Sequence, residues 1–389
     1  MIRRHIAPEL FRLLAEYPIV TLLGPRQAGK TTLAKQALTD FAYVNLEQPD
    51  TRQFAQEDPR AFLAQLPEKV ILDEIQRLPE LLSYLQVIVD ARPGNGQFVL
   101  TGSHQLALRE AISQSLAGRS AILHLLPFSI AELKENQLGF EQAADYIYQG
   151  FLPRIYDQQQ RPTPAYANYY QTYVERDVRQ LINLKDATQF ENFMRLLAGR
   201  VGQVMSYTSL AGDVGVSSNT IKHWLSILEA SFILYKLTPY FDNFGKRVIK
   251  SPKYYFVDTG LLCFLLGIET PAQVTRDPLI GQLFENLVVM DVIKQYYNQG
   301  KTAPAYFFRD SNGVEADLLL QQGRNLIPVE IKSSATYKAE LLKGLKRIAG
   351  LSPLMRDPHL IYAGEAMAFS NGIRAIRYDE VGQLVGGVY

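Results

Sequence analysis

Residues 24–31 have the sequence GPRQAGKT and match the pattern G-x-x-x-x-G-K-[ST] in full. The apolar stretch PIVTLL at 18–23 precedes them, and a segment with helical spacing follows, which is the context this pattern requires. Its two glycines let backbone N–H groups turn toward phosphate oxygens, and the following helix directs its positive end at them. Lys30 would reach the β- and γ-phosphates, and the Thr31 hydroxyl would ligate Mg²⁺. The residues predicted to bind nucleotide here are Gly24, Pro25, Arg26, Gln27, Ala28, Gly29, Lys30, Thr31 and Thr32.

A second motif, VILDEIQ at 70–76, places two carboxylates at the end of an apolar run. The run predicts a buried strand that carries Asp73 to its C-terminal edge, where ligands of α/β sheets bind. Asp73 would bind Mg²⁺ through water. Glu74 would orient and activate the attacking water, the part a base plays in nucleotide hydrolysis.

The next predicted strand, QFVLTGS at 97–103, ends in polar residues. A polar residue here is expected to lie between the strand of Asp73 and the phosphate loop. Ser103, or the neighbouring Thr101, would then sense the γ-phosphate. A serine at this point is equally typical of a helix cap, and both interpretations remain open.

Arg119 follows a predicted helix and precedes another strand, SAILHLLPF at 120–128. At the edge of the unit it would face a neighbouring subunit and neutralise γ-phosphate charge in the transition state. The alternative is an ordinary surface arginine.

The order GPRQAGKT, ILDEIQ, LTGS, LAGR, LLPFS over residues 18–130 resembles AAA-type ATPases. More narrowly, the chain resembles a family of bacterial and archaeal ATP-binding proteins in which this module is joined to a C-terminal domain of unknown function. The resemblance covers essentially the whole chain and includes the segments ERD at 175–177 and FEN at 284–286. It implies ATP and Mg²⁺ as cofactors, and an arginine-finger region at Arg119 that belongs to a ring or another homo-oligomer.

Near the C-terminus, GVEADLLLQ and NLIPVEIKSS predict two strands joined at Gln322–Gly323. If they pair antiparallel, Asp317 lies across from Glu330, and Lys332 shares a face with Glu330. The two carboxylates and the Ile331 carbonyl would form an oxygen-rich Mg²⁺ site. The Lys332 ammonium would position or help to deprotonate a water, or stabilise a pentacovalent phosphate.

Glu285, on the predicted helix IGQLFENLVVMDVIKQYY, would be an outer metal ligand. This arrangement of helix glutamate, aspartate and ExK resembles the PD-(D/E)xK nuclease core, with Ala316 where a proline is common. The pattern is short, so a surface hairpin that carries a Glu/Lys pair is an open alternative.

The stretch at 206–234 has the rhythm of a helix-turn-helix module. The apolar face of its second helix is predicted from Ile221, Trp224, Leu225 and Leu228, and the exposed face from Asn219, Lys222 and His223. A basic wing is predicted from Lys246, Arg247, Lys250 and Lys253. The unit would contact DNA phosphates or serve as a structural spacer.

The composition narrows these possibilities. The chain has 389 residues, of which 20% are charged, and a net charge of +1, so there is no global basic signature of nucleic-acid binding. A single cysteine, Cys263, excludes a disulfide within the chain and thiol-rich zinc sites. No apolar run approaches the ~20 residues that span a bilayer, and the N-terminus has no signal-peptide pattern. A cytoplasmic protein without a membrane partner is expected.

Together these observations predict an α/β chain with a P-loop parallel-sheet ATPase core at 1–130 and a helical lid at 131–200. A winged-helix-like module at 201–275 and a restriction-endonuclease-like α/β domain at 276–389 complete the prediction. The first hypothesis is an AAA-type ATPase coupled to a Mg-dependent nuclease-like domain that acts on DNA or RNA. The second is a signalling or defence ATPase whose C-terminal fold is an inactive binding module for a protein partner, of unknown identity. A third is a switch in which ATP binding alone sets the oligomeric state.

Overall fold

The computed structural model describes residues 2–103, 115–178, 187–240, 250–310, 313–369 and 372–386, with only the backbone at 175–178 and 187. The chain divides into two compact units. The first consists of Met1–Phe128, Ala230–Phe232 and Tyr297–Lys301, and the second of Ser129–Glu229, Ile233–Tyr296 and Thr302–Tyr389.

The first unit is a parallel sheet with helices. Its strands are β1 (Ile19–Leu23), β2 (Ala42–Asn45), β3 (Val70–Asp73), β4 (Phe98–Gly102) and β5 (Ser120–His124). Its helices are α1 (Ala7–Glu16), α2 (Lys30–Ala37), α3 (Pro49–Glu57), α4 (Pro59–Ala64) and α5 (Leu81–Ala91), with a 3-10 turn at Ile75–Arg77.

The strands lie in the order β2-β3-β4-β1-β5, and all the pairings are parallel. The central strands β1, β3 and β4 are buried at every position, as expected for strands covered on both faces, whereas the edge strand β2 is half-buried. The strand expected before the phosphate loop and the strands predicted within 70–76, 97–103 and 120–128 are thus confirmed, and β4 lies between β1 and β3. The sheet therefore brings the C-terminal ends of β1, β3 and β4 to one edge.

The second unit begins with helices. They are α6 (Ile130–Glu135), α7 (Ala143–Gln149), α8 (Pro153–Asp157), α9 (Pro162–Tyr169) and α10 (Ala187–Ala198), with a π-helical segment at Tyr170–Val178. Next come α11 (Tyr207–Val214), α12 (Ser218–Ala230), the antiparallel strands β6 (Leu234–Leu237) and β7 (Lys253–Phe256), α13 (Thr259–Leu266), α14 (Pro271–Arg276) and α15 (Ile280–Asn298).

Helix α12 has the two faces that the sequence predicts. Ser217 caps it by accepting a hydrogen bond from the Thr220 N–H at 3.1 Å. The four predicted apolar residues are buried, and the three polar residues expected at the surface are exposed. Of the predicted basic wing, Lys246 and Arg247 lie outside the described residues, as do residues 104–114, where Ser103 would cap a helix.

A mixed sheet completes the second unit. Its strands are β8 (Ala305–Arg309), β9 (Glu315–Gln322), β10 (Asn325–Lys332), β11 (His359–Tyr362), β12 (Met367–Ala368) and β13 (Arg374–Arg377), in the order β12-β13-β11-β10-β9-β8. Helix α16 (Lys343–Ala349) and 3-10 turns at Ala339–Leu342 and Tyr378–Leu384 accompany it. Apolar clusters around Leu319 and Leu360 form its core.

The predicted hairpin between β9 and β10 is confirmed. Val329 pairs with Leu318, and Asn325 pairs with Gln322, which leaves a two-residue turn. Gly323 opens that turn with φ 61°, a value that favours glycine. This register places Glu330 opposite Asp317. No described helix is long and apolar enough to cross a membrane.

Candidate functional site

The phosphate loop connects β1 to α2, and its backbone is tightly folded. A Cβ at Gly24 would lie 2.0 Å from the backbone oxygen of Leu125, so no side chain fits there. Gly29 and Gln27 have φ values of 89° and 63°, in the left-handed region. The loop therefore depends on glycine for close approach at one end and for backbone conformation at the other.

Arg4 fixes the loop from outside the motif. Its guanidinium donates to the carbonyl of Ala28 at 2.8 Å and to the carbonyl of Leu126, beyond the end of β5, at 2.7 Å. The same group lies over the Phe128 ring, 4.8 Å from its centroid. Sequence reasoning missed this residue, because nothing local links position 4 to position 28.

Lys30 is 6% exposed and begins α2. Its ammonium donates to the carbonyls of Gly24 at 2.9 Å and Pro25 at 2.8 Å. Burial lowers the pKa of Lys30 to about 8, and the charges of Glu74 and Asp73 oppose that shift. The ammonium is held by neutral carbonyls within the loop that would cradle phosphate.

Asp73 is the centre of a hydroxyl network at the end of β3. It accepts hydrogen bonds from the Thr31 hydroxyl at 3.0 and 3.1 Å, from the Tyr43 hydroxyl at 2.7 Å, and from the Thr101 hydroxyl. The two predicted Mg²⁺ ligands, Thr31 and Asp73, are therefore adjacent. A hydroxyl and one carboxylate fit Mg²⁺, which commonly takes its remaining ligands from phosphate and water.

Glu74 follows with a left-handed backbone, φ 59°. Its N–H donates to the Thr101 hydroxyl at 3.2 Å, and its carboxylate accepts from the Gln76 amide. The same amide donates to the Ser103 hydroxyl at 3.1 Å. Gln76 thus links the predicted catalytic carboxylate to the predicted sensor. Its place in LDEIQ, two residues after Glu74, was the signal that could have identified it.

The remaining predicted nucleotide-binding residues lie on the same loop and helix. Ala28 and Pro25 are buried, Arg26 is partly buried, and Gln27 and Thr32 are exposed. The structure thus brings the phosphate loop, the start of α2 and Ser103 to the same edge of the sheet as Asp73 and Glu74.

Arg119 precedes β5 and forms a two-point ion pair with Asp90, at the end of α5. Its Nε lies 2.6 Å from Asp90 Oδ1, and its Nη2 lies 2.8 Å from Oδ2. Exposed ion pairs of this kind contribute little to stability. The pair with Asp90 can therefore be broken at little cost, and the Arg119 guanidinium can take a second role.

In the second unit, the hairpin brings the predicted carboxylates to Lys332. The Lys332 ammonium lies 2.7 Å from Glu330 Oε1 and 3.5 Å from Asp317 Oδ2. Asp317 also accepts from the Ile331 N–H at 2.8 Å, so its carboxylate replaces a backbone acceptor of the ladder.

Glu285, the predicted outer ligand, faces a different lysine. Its Oε1 accepts from the Lys253 ammonium at 3.0 Å and from the Tyr255 hydroxyl at 2.5 Å. The Lys253 ammonium also lies 2.9 Å from Glu315 Oε1, and Arg309 lies 3.4 Å from the other oxygen of Glu315.

The prediction of Lys253 as part of an exposed basic wing is wrong. Lys253 is 3% exposed, because it lies on the fully buried strand β7 rather than on a loop. Asn286 fixes this strand to α15: its amide accepts from the Phe256 N–H at 2.8 Å and donates to the Phe256 carbonyl at 2.9 Å. Lys250 is exposed, in keeping with the prediction for that residue.

Burial and charge together perturb this cluster. Burial raises the pKa of Glu285 to about 7, with Lys253 opposing and Asp317 adding to the shift. Burial and the nearby charge of Asp317 likewise raise the pKa of Glu330 to about 7, against the effect of Lys332. For Lys253 burial lowers the pKa, but Glu285, Asp317 and Glu315 outweigh it, and the net direction is upward.

The cluster borders an open cleft of about 510 Å³ that also includes Gln203, Gln282 and Ser333. Throughout the described part of the chain, no three His, Cys, Asp or Glu side chains are grouped so that they could hold a metal ion. The carboxylates predicted as metal ligands face ammonium groups instead. In this arrangement the set does not fit a divalent metal.

The fold and the nucleotide site define an AAA-type P-loop ATPase domain, and residues 16–134 match the family model described as an AAA domain. Residues 140–272 and 280–381 match two domains of unknown function, DUF8612 and DUF4143.

The chain belongs to the same family as the uncharacterized protein Rv2008c of Mycobacterium tuberculosis. The two are 32% identical over 386 residues, which cover 97% of this chain and 84% of the relative. The uncharacterized protein Mb2031c of Mycobacterium bovis matches to the same extent. Among solved structures, the Walker-type ATPase PABY2304 of Pyrococcus abyssi is 15% identical, with a TM-score of 0.46 over 68% of this chain and 96% of that chain.

Proposed function

We propose that this chain binds and hydrolyses ATP with Mg²⁺ at the edge of β1, β3 and β4. The observation that carries the proposal is the contact between Thr31 and Asp73. Two motifs 42 residues apart place a hydroxyl and a carboxylate 3.0 Å from each other, beside the phosphate loop.

Each residue of the site has a role that its geometry supports. The loop backbone and the Lys30 ammonium bind the phosphates, and the ammonium exchanges its loop carbonyls for phosphate oxygens. Thr31 and Asp73 would hold Mg²⁺, which neutralises phosphate charge when it is bound. Glu74 orients the attacking water and accepts its proton. Ser103, which accepts from the Gln76 amide, would contact the γ-phosphate.

The experiment that tests this proposal compares Glu74→Gln with Lys30→Ala. Glu74→Gln retains the shape of the side chain but is a far weaker base. We expect it to lower kcat by about 10²–10⁴-fold while nucleotide affinity is retained. Lys30→Ala should weaken nucleotide binding itself. ATP hydrolysis that survives Glu74→Gln unchanged would show that Glu74 is not the base.

We propose that the protein works as a homo-oligomer in which Arg119 acts on the nucleotide of a neighbouring subunit. The support is its position at the edge of the sheet, before β5, where its guanidinium forms an exposed ion pair with Asp90 and donates to the Ala117 carbonyl. This part of the proposal predicts that ATP hydrolysis per chain rises with protein concentration.

For the second unit the leading sequence hypothesis was Mg-dependent cleavage of DNA or RNA. One observation favours the alternative, a binding module that does not cleave. The predicted ligands Asp317 and Glu330 are both paired with Lys332, and Glu285 is paired with Lys253. The test is incubation of the full chain, Mg²⁺ and ATP with single-stranded, duplex and branched DNA and with RNA, beside Asp317→Asn. Cleavage that Asp317→Asn abolishes would establish the nuclease; equal results for both proteins support the binding module.

A further inference from the structure

Lys253 occupies the space that a cation would take between the helix and strand carboxylates of the second unit. Its ammonium lies 3.0 Å from Glu285 Oε1, on α15, and 2.9 Å from Glu315 Oε1, on β9. The side chain is 3% exposed and lies beside the Phe307 ring, 5.4 Å from its centroid. A lysine that is buried and contacts two carboxylates belongs to the packed interior of the unit rather than to its surface.

The backbone around Lys253 holds it in this place. Lys253 pairs with Leu237 in the antiparallel pair of β6 and β7 and forms a further bridge with Val204. Tyr255, two residues on and on the same face of β7, donates to the same oxygen of Glu285. The ammonium is therefore directed into the cluster by two strand contacts and by the adjacent tyrosine.

The charges of the cluster are nearly balanced without any added ion. The carboxylates are Glu285, Glu315, Asp317 and Glu330, and the cationic groups are Lys253, Arg309 and Lys332. A divalent ion among these carboxylates would lie within a few ångströms of two ammonium groups. At that distance the repulsion between like charges is strong in a partly buried site.

We propose that Lys253 is the resident cation of this cluster and that it excludes divalent metal from the predicted nuclease site. The inference deepens the binding-module proposal for the second unit and is independent of ATP hydrolysis. A protein that does not hydrolyse ATP would leave this inference unaffected, because its test uses nucleotide-free protein and a different set of variants.

The experiment measures Mn²⁺ binding to the full, nucleotide-free chain by electron paramagnetic resonance of free Mn²⁺. A Mn²⁺ ion that is bound at the cluster should be lost when Asp317 is changed to Asn, so Asp317→Asn distinguishes such ions from those bound elsewhere. We expect the wild-type chain and Asp317→Asn to bind the same number of ions. Lys253→Met, which retains much of the volume and removes the charge, should gain one Mn²⁺ per chain, and Lys253→Met/Asp317→Asn should lose it again.

Lys253→Arg is the matched control, since it keeps the charge, and it should bind no additional ion. Thermal unfolding gives a second readout: Mn²⁺ should raise the Tm of Lys253→Met by a few degrees and leave that of Lys253→Arg unchanged.

Two results would overturn the proposal. One is a wild-type Mn²⁺ ion that Asp317→Asn removes, and the other is a folded Lys253→Met that gains no ion. Should Lys253→Met fail to fold, the comparison of the wild-type chain with Asp317→Asn still decides, because equal binding supports exclusion and unequal binding refutes it.

Discussion

The two sites of this chain contain the same kinds of charged residue and use them in opposite ways. In the first unit Lys30 donates to backbone carbonyls, Asp73 accepts from hydroxyls, and Glu74 accepts from an amide. In the second unit Lys253 and Lys332 lie directly against carboxylates.

The two sites differ in how much charge remains uncompensated and able to attract a ligand. A neutral partner satisfies the hydrogen bonds of a charged group but leaves its charge uncompensated, so phosphate and Mg²⁺ gain the full attraction. A charged partner at 3 Å compensates the charge, and a ligand must then displace that partner. The first site is thus arranged to attract ions, and the second is arranged so that it does not need them.

Arg119 is the strongest test of this contrast, because it is a cation of the first unit that has a carboxylate partner. We expect Arg119→Ala to lower kcat for ATP hydrolysis by about 10³-fold in the oligomer, as loss of a transition-state arginine does. Asp90→Asn is its control. It breaks an exposed pair that contributes little to stability and should leave kcat nearly unchanged. Steady-state hydrolysis at several protein concentrations measures both; normal activity of Arg119→Ala would assign the residue to the surface pair alone.

The buried pair of the second unit should behave differently. In the presence of a chelator, Lys253→Met should destabilise the second unit by about 3–5 kcal/mol, because it leaves the buried Glu285 without its ammonium partner and Glu315 with Arg309 alone. Trp224, the single tryptophan, lies in this unit, so its fluorescence during urea unfolding reports the change.

The control for that measurement is Arg195→Met. It removes an exposed ion pair on one face of α10, in which Arg195 Nη2 lies 2.9 Å from Glu191 Oε1. The free energy of unfolding should fall by less than about 1 kcal/mol. Equal shifts for the two variants would mean that burial of the Lys253 pair has no special consequence.

Gly24→Ala tests whether the first site depends on backbone shape rather than on charge pairing. The added Cβ would meet the Leu125 carbonyl at 2.0 Å, and the loop would have to move away from the phosphates. We expect ATP affinity to fall by about 100-fold, or about 2.7 kcal/mol, in a fluorescent-nucleotide titration. Gly212→Ala, in α11 with nothing within 4 Å of its Cβ, should leave ATP affinity unchanged. A Gly24→Ala chain of normal affinity would disprove the steric argument.

The smallest predicted effect concerns Gln76, which orients Glu74 and contacts Ser103. Gln76→Ala should lower kcat about tenfold with little change in KM, because Glu74 loses its fixed orientation but the phosphate loop is untouched. Gln53→Ala is the control, since the amide of that glutamine donates to the exposed carboxylate of Glu57. An unchanged kcat for Gln76→Ala would show that Glu74 needs no such support.

The grouping of the residues at the first site was predictable because the information for it is local. The pattern GPRQAGKT lies between a strand and a helix, and the carboxylates of VILDEIQ follow a buried strand, so the parallel sheet alone brings them together. The hairpin around Gly323 was predictable for the same reason, since strand alternation and one turn fix its register.

The role of Lys253 was not predictable in this way. Its partner Glu285 lies 32 residues further along the chain, and their contact depends on how β7 packs against α15. A lysine near other basic residues indicates an exposed position in most proteins. One local signal did exist: Lys253 and Tyr255 share a face of a short strand, and a tyrosine on a buried face places the lysine there as well. Arg4 and Tyr43 were missed for similar reasons, because their partners Ala28 and Asp73 lie 24 and 30 residues further along the chain.

The contact of Arg4 with the Ala28 carbonyl connects the segment ahead of α1 to the phosphate loop, and we expect it to couple that segment to nucleotide binding. A residue that holds the phosphate loop in one shape and a ligand that requires this shape must stabilise each other, by thermodynamic reciprocity. Backbone amides at residues 2–6 should therefore exchange hydrogen more slowly when ATP is bound. A change made at this end of the chain is in turn expected to alter nucleotide affinity without contacting the nucleotide.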